Sequence, residues 1–224
     1  MTSGTVDELS WLDRYRLVPI VVLRDAADAT ALADGLVGGG LPLAEVTFRT
    51  AAAADAVRVL AQREDLQVGA GTVLTAGQVD EAVAAGARFV VSPGLSRAVV
   101  ERCAELGVPV LPGAVTATEI MAARELGITT VKFFPAGTAG GPAAIQALSA
   151  PFPDVSFVPT GGIGPDNVAD YLGLPAVRAL GGSWMLPQAA VESRDVAAIT
   201  SMVAAAVSLV QPGPATTGRE GRSR

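Results

Sequence analysis

This sequence predicts an α/β fold, a (β/α)8 TIM barrel with a short extra helix at its N-terminus. Three observations carry that expectation. Eight short β-rich runs recur along the chain, each followed by an Ala-rich helical stretch. Their starts lie about 20 to 26 residues apart, the size of a minimal βα unit. Several runs are apolar throughout, as strands are when helices cover both faces of a parallel sheet. Alternating β and α makes the sheet parallel. Eight units in 224 residues favour a closed barrel over an open sheet. A doubly wound sheet is the competing arrangement. It would want a Gly-rich turn after the first strand, where the chain instead reads Arg24-Asp25-Ala26-Ala27.

The elements follow in order. Residues 5–16 predict the extra helix. Strands are expected at 17–23, 43–48, 66–70, 88–92, 108–112, 129–134, 155–159 and 176–180. Thr75 is placed to open the helix after the third strand. Thr116 with Glu119 three residues on reads as a capping box. Pro165 sits where a first-turn proline belongs. Gly86, Gly107 and Gly127 mark three helix ends. One domain is expected over 1–210. From Gln211 to Arg224 the chain is rich in Pro, Gly and Ser, a composition expected to be disordered.

Composition narrows the chemistry. Half the residues are apolar, enough for a sizeable core, and the formal net charge is −6, which argues against nucleic acid as a partner. No apolar run reaches the ~18 residues of a membrane span, and the acidic N-terminus is not a secretory signal. Cys103 is the single cysteine, so no intrachain disulfide forms. A reducing cytoplasm is the expected location. There is no histidine. Zinc, copper and haem sites built on His or Cys are thereby excluded, as are Ser-His-Asp and Cys-His nucleophiles. Only an oxygen-ligated ion such as Mg²⁺ stays open. No metal and no cofactor are expected.

The basic residues are equally telling. Of 16, fifteen are arginine; the one lysine is Lys132, set in the apolar run Val131-Lys132-Phe133-Phe134. A charge on a barrel strand must point into the lumen or emerge at its mouth, because helices cover the outside. Period-2 alternation puts Glu45, Thr47 and Arg49 on one face of the second strand, and Thr130, Lys132 and Phe134 on one face of the sixth. Glu45, Arg49 and Lys132 are therefore expected to converge. One reading of Glu45 and Lys132 is a buried ion pair that fixes register. The other is catalytic: taking an ammonium out of water favours the neutral amine, which attacks ketones. The carboxylate then serves as the acid/base that no histidine supplies. Asp25, Asp28 and Asp166 sit in loops or helix starts, where capping accounts for them.

Glycine pairs end the last two strands. Pro159-Thr160-Gly161-Gly162-Ile163 follows the seventh and Gly181-Gly182-Ser183-Trp184 the eighth, the two positions where barrels commonly bind phosphate. A tight turn explains either pair alone. Gly69-Ala70-Gly71-Thr72 after the third strand is a plain turn or, with Arg49, a carboxylate site.

Taken together, EVTFRT at 45–50, GAGTVL at 69–74, SPG at 92–94, VKFFPA at 131–136, PTGGI at 159–163 and GGSW at 181–184 resemble the 2-keto-3-deoxy-6-phosphogluconate (KDPG) and 4-hydroxy-2-oxoglutarate aldolase family. The resemblance runs over about 17–190 and departs at none of these motifs. It implies a metal-independent class I aldolase that cleaves KDPG to pyruvate and glyceraldehyde 3-phosphate, the aldol step of the Entner–Doudoroff pathway. It implies Lys132 as Schiff-base lysine and Glu45 as proton shuttle. Arg49 and Thr72 would hold the pyruvyl carboxylate. Pro93 and Phe134 would shape the pocket, and Thr160 would lie near the C4 hydroxyl. Gly161, Gly162, Gly181, Gly182 and Ser183 would hold the phosphate. A homotrimer is also implied. The substrate alternatives are 4-hydroxy-2-oxoglutarate and the galacto epimer. Another phosphate-binding barrel enzyme, such as an isomerase or epimerase, is the first rival, though such epimerases want histidine. A non-catalytic oligomeric scaffold is the second.

Overall fold

Eight parallel strands alternate with helices along residues 9–211, which the computed structural model describes. β1 (Leu17–Val21), β2 (Leu43–Thr47), β3 (Gln67–Gly71), β4 (Val90–Val91), β5 (Val110–Leu111) and β8 (Leu180–Gly182) form one sheet, ordered β5-β4-β3-β2-β1-β8. β6 (Thr130–Phe133) pairs with β7 (Ser156–Pro159) in a second. Isolated parallel bridges join the two, Gly113 with Lys132 and Thr160 with Gly181.

Helices fill the crossovers, as parallel pairing requires. They are α2 (Ala29–Gly38), α3 (Ala53–Leu60), α4 (Ala76–Ala84), α5 (Arg97–Leu106), α6 (Ala117–Glu125), α7 (Gly141–Ser149) and α8 (Val168–Leu172). α9 (Gln188–Glu192) and α10 (Val196–Val210) follow β8. Thr75 caps α4 by accepting from the Gln78 amide, and Thr116 with Glu119 forms the expected capping box on α6. Gly86, Gly107 and Gly127 follow α4, α5 and α6 with positive φ. On α10, Ile199, Val203, Ala206 and Val210 share the buried face, the spacing of an amphipathic helix. That face lies on α2, where bare Gly35 and Gly39 admit Ile199 and Val203; a Cβ on either glycine would come within 2.5 Å of them.

α1 (Trp11–Tyr15) packs where the strands begin. The Trp11 ring lies 4.6 Å from that of Phe89, just before β4, and Leu12 is fully buried. Arg178, just before β8, donates two hydrogen bonds to Asp13 at 2.7 and 2.6 Å and a third to Thr130 Oγ1 at 3.4 Å. The helix was expected over 5–16, and residues 5–8 fall outside the described part. The tail expected to be disordered lies, after Gln211, outside it too.

Three expectations need correction. β8 runs over 180–182, not 176–180, and so contains Gly181 and Gly182. Its partner β1 starts only at Leu17, opposite Leu180, because α1 ends at left-handed Arg16. β4 and β5 are two-residue strands. Pro93, Pro109 and Pro112 lie close to their ends, and a proline has no N–H to extend a ladder. Pro165 stands in a turn three residues ahead of α8 rather than in its first turn.

Candidate active site

Lys132 is the third residue of β6 and Glu45 the third of β2. They are 87 positions apart in sequence, yet Lys132 Nζ donates to Glu45 Oε1 at 3.2 Å. The two side chains are 7% and 3% exposed. Both backbones are held firmly. The Lys132 amide donates to Pro112 O, and the Ala114 amide to Lys132 O, each at 2.9 Å. Glu45 is in register with Ile20 on one side and Gly69 on the other.

Removing two ions from water costs several kcal/mol per ion, and an apolar pair of similar volume is often as stable or more so. A buried lysine–glutamate pair is thus a poor way to stabilise a strand register. It is a good way to keep an amine and a proton acceptor together, dry and at hydrogen-bonding distance.

Phe134 and Pro93, among the expected site residues, lie beside this pair or against a residue bridged to it. Phe134 follows β6 in an exposed turn, and its ring centroid is 5.4 Å from Lys132 Nζ, within cation–π range. The other edge of that ring faces the β7 loop: a Cβ on Gly161 would sit 3.3 Å from it. Thr160 is buried, with its hydroxyl donating to Val158 O at 3.4 Å. It packs so closely on Gly181 that a Cβ there would lie 2.3 Å from Thr160 Oγ1. Pro93 is half-buried after β4, and its carbonyl would touch any Cβ on Gly113, the residue bridged to Lys132. Thr72 follows β3 with φ +58. Left-handed backbone at a β-branched residue stores on the order of 1–3 kcal/mol and clusters at functional sites.

Arg49 departs from its expected place. Pairing of β2 with β3 ends at Thr47 opposite Gly71, and the Arg49 amide folds back onto Thr47 O at 2.8 Å. The strand alternation therefore stops before Arg49, which lies in an exposed turn and pairs with no acid among the described residues. Thr47 is buried and donates to Val21 O at 3.3 Å. Phe134 likewise lies past its strand and not within it. Asp25 accepts from the Ala27 amide as a cap should, but Asp28 is buried and accepts from Arg194 Nε at 2.8 Å instead.

The two glycine pairs differ from one another. Gly161 and Gly162 have φ +92 and +77, the left-handed region that glycine enters without steric cost. The N–H groups of Gly162 and Ile163 go to no acceptor among the described residues, whereas Gly161 lies on the bridge between Thr160 and Gly181. Because α8 is short and begins late, these loop amides, and not a helix dipole, are the donors on offer. Gly181 and Gly182 are strand residues, with the Trp184 ring folded on Gly182 and Ser183 exposed beyond.

Two residues shape this site in ways the sequence did not reveal: Gly71, read there only as part of a turn, and Asn167. Gly71 leaves room for Glu45. Asn167 bonds across the β7 loop, and the spacing Gly164-Pro-Asp-Asn167 was its only sequence signal.

Known proteins are similar to this chain in sequence and fold. The family model described as KDPG and KHG aldolase matches residues 9–202. A curated protein named 2-dehydro-3-deoxy-phosphogluconate aldolase, from Treponema pallidum (strain Nichols), is 48% identical over 192 residues, 85% of this chain and 91% of that protein. One named KHG/KDPG aldolase, from Escherichia coli (strain K12), is 43% identical over 85% of this chain and 90% of its own length. Among solved structures, KDPG aldolase from Legionella pneumophila, with pyruvate captured at low pH as a covalent carbinolamine intermediate, superimposes with a TM-score of 0.86 at 38% identity. It covers 89% of this chain and 98% of that one. A buried lysine–glutamate pair at the strand ends and a match to the family over nearly its whole described length lead to one conclusion: this chain belongs to the KDPG and KHG aldolase family.

Proposed function

We propose that this protein is a class I, Schiff-base aldolase that cleaves 2-keto-3-deoxy-6-phosphogluconate to pyruvate and glyceraldehyde 3-phosphate, with Lys132 as nucleophile. The observation that carries the reading is the buried contact between the chain's single lysine and Glu45.

The chemistry follows from that contact. Transfer of the ammonium proton to Glu45 frees the Lys132 lone pair to add to the C2 ketone. Glu45 protonates the carbinolamine hydroxyl, which leaves as water to give a protonated imine. That cation is an electron sink. Glu45 then takes the C4 hydroxyl proton, the C3–C4 bond breaks, and its electron pair moves into an enamine as the aldehyde departs. Protonation at C3 and hydrolysis release pyruvate and restore the amine. The iminium does a Lewis acid's work, so no step asks for a metal or cofactor.

Arg49 and Thr72 are assigned to the pyruvyl carboxylate, Pro93 and Phe134 to the pocket wall, and Thr160 to the C4 hydroxyl. Gly161, Gly162, Gly181, Gly182 and Ser183 are assigned to the phosphate. The bridges between the two sheets support a closed (β/α)8 barrel, and one domain over 1–210. A cytoplasmic homotrimer working in the Entner–Doudoroff pathway completes the reading. The name of the Escherichia coli relative favours 4-hydroxy-2-oxoglutarate as a second substrate. No described helix is long and apolar enough to cross a membrane.

The test is to trap the imine. Borohydride added with pyruvate should leave one reduced adduct, on the peptide that contains Lys132. An unmodified chain, or an adduct only on the N-terminal amine, defeats the mechanism. Release of pyruvate from KDPG in a coupled assay then fixes the substrate.

A further inference from the structure

The β7 loop that presents free N–H groups is held by backbone only at its start, where the Gly137 amide donates to Gly161 O at 2.9 Å; from Gly162 to Gly164 it has no such support. α8 begins only at Val168. Gly161 and Gly162, with positive φ, are also the residues with the most backbone freedom to lose on ordering. Something must select one conformation. Asn167 occupies the N-cap position of α8, where an asparagine ordinarily accepts from an amide of the helix's first turn. It makes no such bond. Its side chain instead turns back over the loop: Nδ2 donates to Gly162 O at 2.9 Å, and Oδ1 accepts from the Gly164 amide at 3.0 Å.

The geometry of a trans peptide gives these bonds a consequence. The carbonyl of Gly162 and the N–H of Ile163 belong to one planar unit and point in opposite directions. Fixing the Gly162 carbonyl on Asn167 therefore aims the Ile163 N–H away from it. The same bond keeps a carbonyl oxygen, which would repel an anion, occupied. Spending the side chain at both ends of the Gly162–Gly164 segment also places the ordering cost in the free protein, so an arriving anion does not meet it.

We infer that Asn167 is the positioning residue for the anion-binding conformation of the Gly161–Gly164 loop, and that it sets the preference for phosphorylated over unphosphorylated substrate. The inference rests on the proposed placing of the substrate phosphate at this loop. Asn167 does not touch the reacting atoms, so imine formation at Lys132 does not depend on it.

The experiment compares kcat/KM for KDPG and for its unphosphorylated analogue in wild type, Asn167→Ala and Asn167→Asp. Asn167→Ala removes both bonds, and the KDPG-to-analogue ratio should fall about tenfold or more, the scale of two lost hydrogen bonds. Trapping of pyruvate on Lys132 should stay at the wild-type level. Asn167→Asp keeps the acceptor for Gly164 but sets a carboxylate against the Gly162 carbonyl, and should lose the ratio as well. An unchanged ratio in the folded Asn167 variants overturns the inference. If Asn167→Ala does not fold, Asn167→Asp decides alone. Wild type that handles both substrates equally well would instead overturn the placing of the phosphate.

Discussion

Gly71 is the floor beneath Glu45: a Cβ on Gly71 would lie 2.3 Å from Glu45 Oε1 and 2.6 Å from its Cγ. The carboxylate reaches Lys132 only because β3 carries no side chain at that point. Gly71→Ala should therefore fold but push Glu45 off its bond to Lys132. Steady-state kinetics should show a fall in kcat approaching that of removing the base, about 10²-fold or more. Borohydride trapping on Lys132 should still occur, but more slowly, because Glu45 also moves the protons of imine formation. A kcat within a factor of about two of wild type would mean that Glu45 has room to spare.

Glu45→Gln separates the two readings of the buried pair. Glutamine keeps the shape and can still accept from Lys132 Nζ, but it takes no proton. As the proton shuttle, Glu45 predicts that kcat falls by about 10²–10⁴-fold, with a smaller change in KM. A pair that only fixes register predicts a lower Tm and normal turnover per folded molecule. Measuring both quantities on one sample decides between them.

Asp13 gives the molecule an acid-sensitive contact remote from the site. The Arg178 guanidinium, hydrogen-bonded to it, holds its carboxyl below the ordinary aspartate value of 3.8, against a smaller opposing effect of burial. A carboxyl depressed in the folded state stabilises it fully above the unfolded value, and that contribution fades as pH falls through the folded value. Wild type should thus exceed Asp13→Asn in Tm at neutral pH. The gap should close below about pH 4. Asp13 is largely exposed, so the gap should be small. A gap that widens in acid would reverse the assignment.

Cys103 should be chemically silent. Burial on α5 pushes its thiol up to about 12, so almost no thiolate exists at neutral pH. Iodoacetamide should leave the native protein unlabelled and modify it stoichiometrically in denaturant. Fast labelling of the native state would mean that α5 opens readily.

Much of this molecule is legible in its sequence. Local rules were enough for the eight β/α units, the α4 and α6 caps and the placing of the Gly161–Gly162 turn after β7, because each depends on residues within a few positions of one another. The chemistry was legible by elimination. With no histidine and one lysine, Lys132 was the only candidate amine nucleophile on a strand. What the sequence could not determine is which strand face a residue joins once a ladder stops. Arg49 leaves β2 because β3 ends its pairing at Gly71. β8 starts at Leu180 because β1 starts at Leu17, and Pro165 misses α8 by three residues. Each is decided by a partner strand or loop far away in sequence. The contact on which the chemistry depends is of the same kind. Residues 45 and 132 meet only when parallel strands bring β2 and β6 round to face one another, and Gly71 and Asn167 acquire their importance from what lies against them. A sequence sets which groups are available and how each short segment prefers to lie, through propensity and hydrogen bonding over a few residues. Tertiary packing alone sets the 3.2 Å between an amine and a carboxylate, because that distance is the sum of every strand register between them.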